Sequence, residues 1–263
     1  MEPIDLLAIA AHPDDVELSC AGTMISAKKS GKRTAIVDLT RGELSTRGTL
    51  ESRARETDEA TRIMQLDERF NLGMPDGNIE LSQENLRLLI EAIRTLRPQI
   101  MLTPHKHERH PDHEAACELA HRAAFYAGLA KIETMDELGN PQQPHRPLLV
   151  MHYMQTFVFE PSVIVDVTEV FPERMAAMMA YASQFARSKF SSARVGTEHE
   201  NASDTLQASE RETFLSQKGF NEWIEARARS YGMIIGAEFG EPFWAEQTPG
   251  TRDIFSLVTK HVA

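Results

Sequence analysis

Two short clusters in the chain are rich in imidazole and carboxylate: His12-Pro13-Asp14-Asp15 and His110-Pro111-Asp112-His113. Each follows an apolar run, Ile4 to Ala11 in the first case and Ile100 to Pro104 in the second. Imidazole nitrogen and carboxylate oxygen are the ligands that suit a hydrolytic zinc, which takes three protein ligands and keeps one position for water. Two clusters of this kind can share one metal, so the residues read as those of a zinc-dependent hydrolase.

The proline in each cluster explains much of the expected geometry. Proline suits the first helical position and pushes the residue before it out of the helical region. His12 and His110 are therefore expected at junctions between strand and helix. Asp14, Asp15 and Asp112 then fall in first turns, where the helix dipole favours a carboxylate. In a parallel α/β sheet such turns gather at the carboxyl edge of the strands, where ligands bind. His110 and His113, three residues apart, can face one site, as can His12 and Asp15. Taken singly, an Asp before an apolar helix is often only an N-cap, and a His at such a turn only a surface or cap residue. The repetition of one form in one context favours a shared site.

The elements that must position these clusters are legible from hydrophobic periodicity. Segments 4–11, 34–40, 68–72, 99–104, 147–154 and 162–168 are short and several are almost wholly apolar, as buried parallel strands are. Between them, 14–30, 51–65, 82–97 and 112–128 carry apolar residues at helical spacing. Ser82 stands where an N-cap belongs, before the stripe Leu86, Leu89, Ile90, Ile93, and Pro98 prevents that helix from continuing. The alternation predicts an α/β, Rossmann-like fold: a mostly parallel, doubly wound sheet with helices on both faces, forming one domain over 1–263. After Val170 the pattern turns helical, with 170–187 and 210–232 as helices and the polar stretch 188–209 as a surface loop or lid. No Gly-x-Gly-x-x-Gly follows the first strand, so a dinucleotide cofactor is not expected.

Charge and composition narrow the partners. With 28 Lys and Arg against 39 Asp and Glu, a net charge of −11 argues against a general nucleic-acid or anionic-membrane binder and favours a small-molecule substrate. Only Cys20 and Cys117 are present, which points to a reducing compartment, with each cysteine packed as a small apolar residue in preference to ligating zinc. The start Met-Glu-Pro-Ile-Asp has no signal-peptide character and no stretch approaches the roughly 18 apolar residues of a membrane span. A cytoplasmic location is expected.

Ala11-His12-Pro13-Asp14-Asp15-Val16-Glu17, taken with His110-Pro111-Asp112-His113, resembles the paired signature of the LmbE-like (PIG-L) N-acetylglucosamine deacetylases. Thr40-Arg41-Gly42-Glu43-Leu44-Ser45, Leu72-Gly73-Met74-Pro75-Asp76, Glu160-Pro161-Ser162, Ser183-Gln184-Phe185 and Gly240-Glu241-Pro242-Phe243 resemble the branch that removes acetate from N-acetylglucosaminyl-malate in bacillithiol synthesis. The resemblance implies that His12, Asp15 and His113 bind zinc, with iron or cobalt also suited to that set. It implies that Asp14 is the general base, that protonated His110 stabilises the new negative charge, and that Asp112 orients His110. Either Asp14 or His110 would protonate the leaving amine. It also implies a homo-oligomer, often a hexamer. The segment 188–209 is longer than the compact family pattern, which leaves the sugar's aglycone open.

Four further residues are substrate-binding candidates. Arg53 and Arg109 fit as clamps on the two malate carboxylates, against the plainer readings of a solvated helix-face cation and a loop cation. Glu17 is expected to contact substrate or anchor a hydrogen bond behind the ligands. Tyr231 is placed at the site by the resemblance, with core packing near a helix end as the competing role. His105 and His107 beside the second motif read as loop histidines in preference to a second metal site. Phe171, Met175, Met178, Ala182 and Phe185 form a helical stripe for the core or a subunit interface. The rivals to the malate glycoside are another N-acetylglucosamine or thiol conjugate and, from a different class, a sugar- or metal-binding protein without turnover. Asp14 argues against the last, since binding alone needs no carboxylate beside the ligands.

Overall fold

In a computed structural model of the chain, residues 2–185, 213–217 and 219–253 are described. The expected loop 188–209 lies outside these residues. Seven strands make one sheet: β1 Leu6–Ala10, β2 Thr34–Thr40, β3 Glu68–Met74, β4 Ile100–Pro104, β5 Leu149–Tyr153, β6 Val163–Asp166 and β7 Gly240–Trp244. Their order is β3-β2-β1-β4-β5-β7-β6. Neighbours from β3 through β5 are parallel, and β7 runs antiparallel to both β5 and β6. Helices are α1 Asp15–Ser19, α2 Ala21–Lys29, α3 Leu50–Met64, α4 Gln83–Leu96, α5 Pro111–Ala127, α6 Phe171–Met179, α7 Ala182–Phe185 and α8 Phe220–Ile235. The fold is α/β and Rossmann-like, as the alternation predicted. Among the described residues no helix is long and apolar enough to cross a membrane.

The sheet is covered on both faces because its central strands bury every side chain. In β1, Leu7 and Ile9 face a core with α4 and α5, whereas Leu6, Ala8 and Ala10 face a second core with α2, α6 and α8. That two-residue alternation inside an apolar run is what a parallel strand between two helical layers requires. The α4 stripe Leu86, Leu89, Ile90, Ile93 is buried as expected, capped by Ser82 Oγ accepting from the Asn85 N–H at 3.1 Å. Fully burying each such side chain stabilises the fold by about 1.5–3 kcal/mol. Phe171, Met178 and Phe185 of the late stripe are also buried, Phe171 and Met178 from α6 and Phe185 from α7.

Three expectations are corrected. The helix 14–30 is two helices, since Cys20 leaves helical geometry at φ −145°, ψ 19°. The first N–H groups of α2 are satisfied instead by a carboxylate: Glu241 of β7 accepts from Gly22 N at 2.9 Å and Thr23 N at 2.7 Å. The helix 170–187 breaks between α6 and α7, and the helix expected from 210 begins at Phe220 after a short 3-10 turn, Phe214–Ser216. Strand β7 was not expected at all. It tolerates Pro242 in mid-sheet because only Phe243 and Trp244 pair with β5, so the missing N–H interrupts no ladder on that side.

Candidate metal and catalytic site

Strand order reverses between β1 and β4, which lie side by side with Leu6 opposite Ile100. Helices leave the carboxyl ends of these two strands toward opposite faces, and the crevice between them is where open α/β sheets bind ligands. His12-Pro13-Asp14-Asp15 follows β1 and His110-Pro111-Asp112-His113 opens α5 shortly after β4. The pairing brings the two clusters together. His12 and His110 rings are 4.8 Å apart, His110 and His113 5.1 Å, and nitrogens of all three lie within 4.8 Å of one another.

Asp15 bridges the two clusters. Its carboxylate lies 3.6 Å from His12 Nδ1 and 3.2 Å from His113 Nε2, and Gln155 donates to it at 2.8 Å. Burial opposes charge on these groups, yet the partners win. The charge and hydrogen bonds of His113 and His12 hold Asp15 well below the usual carboxylate range. Against the same desolvation, the carboxylate of Asp15 at 3.2 Å, with that of Glu108 at 4.0 Å, raises His113 to about 9. Hydrogen bonds to Asp112, Asp15 and Asp76 raise His12 well above its ordinary value. Asp76, at the turn after β3, and Asp112 approach His12 Nε2 at 3.1 and 3.2 Å. Two imidazoles that draw positive charge to a carboxylate between them offer nitrogen and oxygen donors of the kind a divalent cation takes, and such a cation would take the place of those protons.

Asp14 serves a different partner. Its φ of 115° is in the left-handed region, and its side chain turns to Arg53, whose Nη1 donates to Asp14 Oδ2 and to the Pro13 carbonyl, each at 2.8 Å. Arg53 Nη2 also donates to Ser45 Oγ at 3.0 Å. Burial pushes Asp14 up, Arg53 pulls it down and Asp15 adds repulsion, leaving it at about 6. A carboxylate at that value can take and return a proton near neutrality.

His110 caps α5, its Nδ1 accepting from the Asp112 backbone N–H at 3.2 Å. Burial and the neighbouring charges of His12 and His113 lower its pKa. The geometry favours a neutral ring with hydrogen on Nε2, in place of the protonated ring expected, and that N–H can still donate. The Asp112 carboxylate accepts from Gly77 N at 2.7 Å and lies 3.2 Å from His12 Nε2.

A cavity of about 310 Å³ opens over these groups and is lined by His12, Asp14, Asp15, His110, His113, Arg53 and Arg109. Arg109 also lies over the Phe214 ring at 4.9 Å. Glu17 and Tyr231 are not among its lining residues. Glu17 is fully buried behind the site, where Arg69 Nη1 donates to it at 2.7 Å and Tyr181 Oη at 3.1 Å. Tyr231 is half-buried on α8. Asp76, Gln155 and Arg227 line the site and had been given no role. Asp76 carried a signal in the Pro75-Asp76-Gly77 turn after the strand segment 68–72; Gln155 and Arg227 carried none.

The chain is similar to several known proteins. The model of the family described as GlcNAc-PI de-N-acetylase, PIG-L, matches residues 7–124, a span that contains both clusters. The diacetylchitobiose deacetylase of Thermococcus kodakarensis is 27% identical over 190 residues, covering 68% of this chain and 70% of that one. The probable N-acetyl-alpha-D-glucosaminyl L-malate deacetylase 2 of Bacillus anthracis is 26% identical over 194 residues, covering 69% and 81%. Among solved structures, the conserved protein TT1542 from Thermus thermophilus is 35% identical with a TM-score of 0.77, covering 95% of this chain and 98% of that one. With both clusters inside the matched span and the fold shared end to end with a solved relative, the chain belongs to the PIG-L, LmbE-like family of deacetylases and is an enzyme that hydrolyses an amide bond.

Proposed function

We propose that the protein removes the N-acetyl group from an N-acetylglucosaminyl glycoside with an anionic aglycone, N-acetylglucosaminyl-L-malate being the substrate to test first. The observation that carries this reading is Asp14: a buried carboxylate at about 6, held by Arg53 at 2.8 Å, next to a residue that faces two imidazoles. A site for binding alone has no use for such a group, whereas hydrolysis needs a base. Arg109 and Arg227 line the same cavity and suit an anionic aglycone.

His12, Asp15 and His113 would hold the cation, zinc by donor type with iron or cobalt as alternatives. When bound, it supplies Lewis acidity for water activation and carbonyl polarisation. Asp14 takes the proton of the attacking water, with Arg53 keeping it ionised until then. His110 donates its Nε2 hydrogen to the developing oxyanion. The protonated Asp14 then gives its proton to the leaving amine, which restores the base and releases acetate.

A second reading is deacetylation of a chitooligosaccharide. Phe214, Phe220 and Trp223 line the cavity and can stack on a second sugar ring, and a chitobiose deacetylase is among the relatives. Acetate release from N-acetylglucosaminyl-malate, N-acetylglucosamine and diacetylchitobiose, by zinc-loaded, chelated and Asp14→Asn protein, separates the two. Metal-dependent turnover favouring the malate glycoside, lost in Asp14→Asn, is the expected result. Preference for chitobiose overturns the choice of aglycone, and turnover surviving in Asp14→Asn overturns the role of the base.

A further inference from the structure

Beyond the catalytic cluster, α5 carries a second pair of ligand-type residues on the same stripe. His113, Cys117 and His121 follow one another at four-residue spacing, so all three project from one side of the helix. His152 of β5 faces the last two: its Nε2 is 2.9 Å from His121 Nε2, and its Nδ1 is 3.7 Å from Cys117 Sγ. One ligand atom from each of the three residues falls within 4.8 Å of the others. The ligand atoms of a tetrahedral zinc site stand about 3.4 Å apart when bonds are near 2.1 Å, so the side chains need only small adjustments.

The orientation of His152 favours a ligand role over simple packing. Its Nδ1 lies 2.7 Å from the Pro104 carbonyl, which accepts the ring hydrogen and leaves a lone pair on Nε2. A metal-ligating imidazole is commonly fixed by this kind of donation to a backbone carbonyl. These residues line a cavity of about 630 Å³ that shares no lining residue with the catalytic one. Glu114, Glu118 and Glu246 line it as well, against one cation, Lys106, which sits over the Trp244 ring at 4.7 Å. His121 lies eight residues along α5 from His113, about 12 Å at helical rise, too far to share an ion.

We propose that Cys117, His121 and His152 form a second metal site for a thiophilic divalent cation of the zinc class, with a carboxylate of the cavity rim or water as the fourth ligand. One thiolate and two imidazoles are donors that such a cation prefers to the hard-oxygen environment of magnesium or calcium. The bound ion would tie α5, which presents His110 and His113, to strand β5.

Cobalt distinguishes this site from the catalytic one, because a thiolate-to-cobalt absorption in the near ultraviolet requires a cysteine ligand and His12, Asp15 and His113 include none. Metal-free wild type, Cys117→Ser, His121→Ala and Asp15→Asn are reloaded with Co2+, and ions per chain are counted by mass spectrometry. Expected are two ions and the thiolate band in wild type, the band retained in Asp15→Asn, and loss of one ion and of the band in Cys117→Ser. Should Cys117→Ser fail to fold, His121→Ala, altered at a partly exposed side chain, is expected to lose the same ion. One ion per wild-type chain, or two without the thiolate band, overturns the proposal.

Discussion

Arg53→Met removes the cation that holds the proposed base ionised, and its effect is expected to depend on pH. Arg53 Nη1 and Asp14 Oδ2 are 2.8 Å apart and both side chains are 8% exposed, so solvent screens the pair weakly. At an effective dielectric of about 20, unit charges at that separation attract by roughly 6 kcal/mol. The part that survives desolvation lowers a carboxylate by about 1–3 units. Asp14 stands at about 6 with Arg53 present, so without it the group is expected at about 7–9. A base must be ionised to act, so turnover rises as pH rises through the pKa of the base. At pH 7 the ionised fraction drops from about nine-tenths to between about a half and a hundredth, and kcat/KM falls with it.

Acetate release under kcat/KM conditions across neutral pH, for wild type and Arg53→Met loaded with the same metal, measures this directly. The acidic limb is expected to move upward by about one to three units, with most of the activity recovered in alkali. Methionine keeps the bulk of the buried side chain, and an unchanged near-ultraviolet circular dichroism spectrum shows that the site is folded. A loss of the same factor at every pH, with the limb still near 6 and KM raised, would refute the reasoning and return Arg53 to the role of a carboxylate clamp.

Asp14→Asn is expected to lower kcat by about 10²–10⁴ while metal content, read by mass spectrometry, stays at the wild-type value. Arg69 pairs Asp38 at 2.8 Å and Glu17 at 2.7 Å behind the site. Arg69→Met leaves both carboxylates buried and uncompensated, at an expected cost of about 3–5 kcal/mol read as a fall in denaturation midpoint. A Cβ at Gly22 would sit 2.8 Å from Glu241 Oε1 and 2.9 Å from Val167. Gly22→Ala is expected to destabilise by about 1–3 kcal/mol in the same assay.

What could be read from residues alone follows physical lines. Strands β1, β2 and β4 announced themselves because a parallel strand covered on both faces must be largely apolar. Strand β7, with Glu241 and Pro242 at its centre, breaks that rule, since Glu241 is committed to capping α2. The residue types at the site were legible because proline fixes the strand-to-helix turns. Their convergence was not, because it rests on β1 lying beside β4, a contact between residues nearly a hundred apart. Direction was the other gap: Glu17 shares a motif with Asp14 and Asp15 yet turns back to Arg69, and sequence spacing carries no information on which side of a short helix faces the cavity.

The backbone at Asp14 shows why adjacent carboxylates can hold opposite assignments. Had both residues continued a regular helix, their side chains would diverge by about 100°. The left-handed turn at φ 115°, ψ −20° instead sends Asp14 to Arg53 and leaves Asp15 between His12 and His113. Such a conformation costs about 1–3 kcal/mol in a residue other than glycine, and Asp and Asn bear it best because their short polar chains bond locally. The consequence is electrostatic. Asp15 is held far below the usual range by imidazoles, whereas Asp14, buried and offset by a single guanidinium, rests at about 6. On the proposed mechanism, pushing two neighbouring pKa values apart in this way would let Asp15 stay ionised as a ligand while Asp14 cycles a proton. It also makes Asp14→Asn the most informative replacement, since asparagine keeps the tolerance for the turn and the shape of the side chain and removes only the capacity to carry that proton.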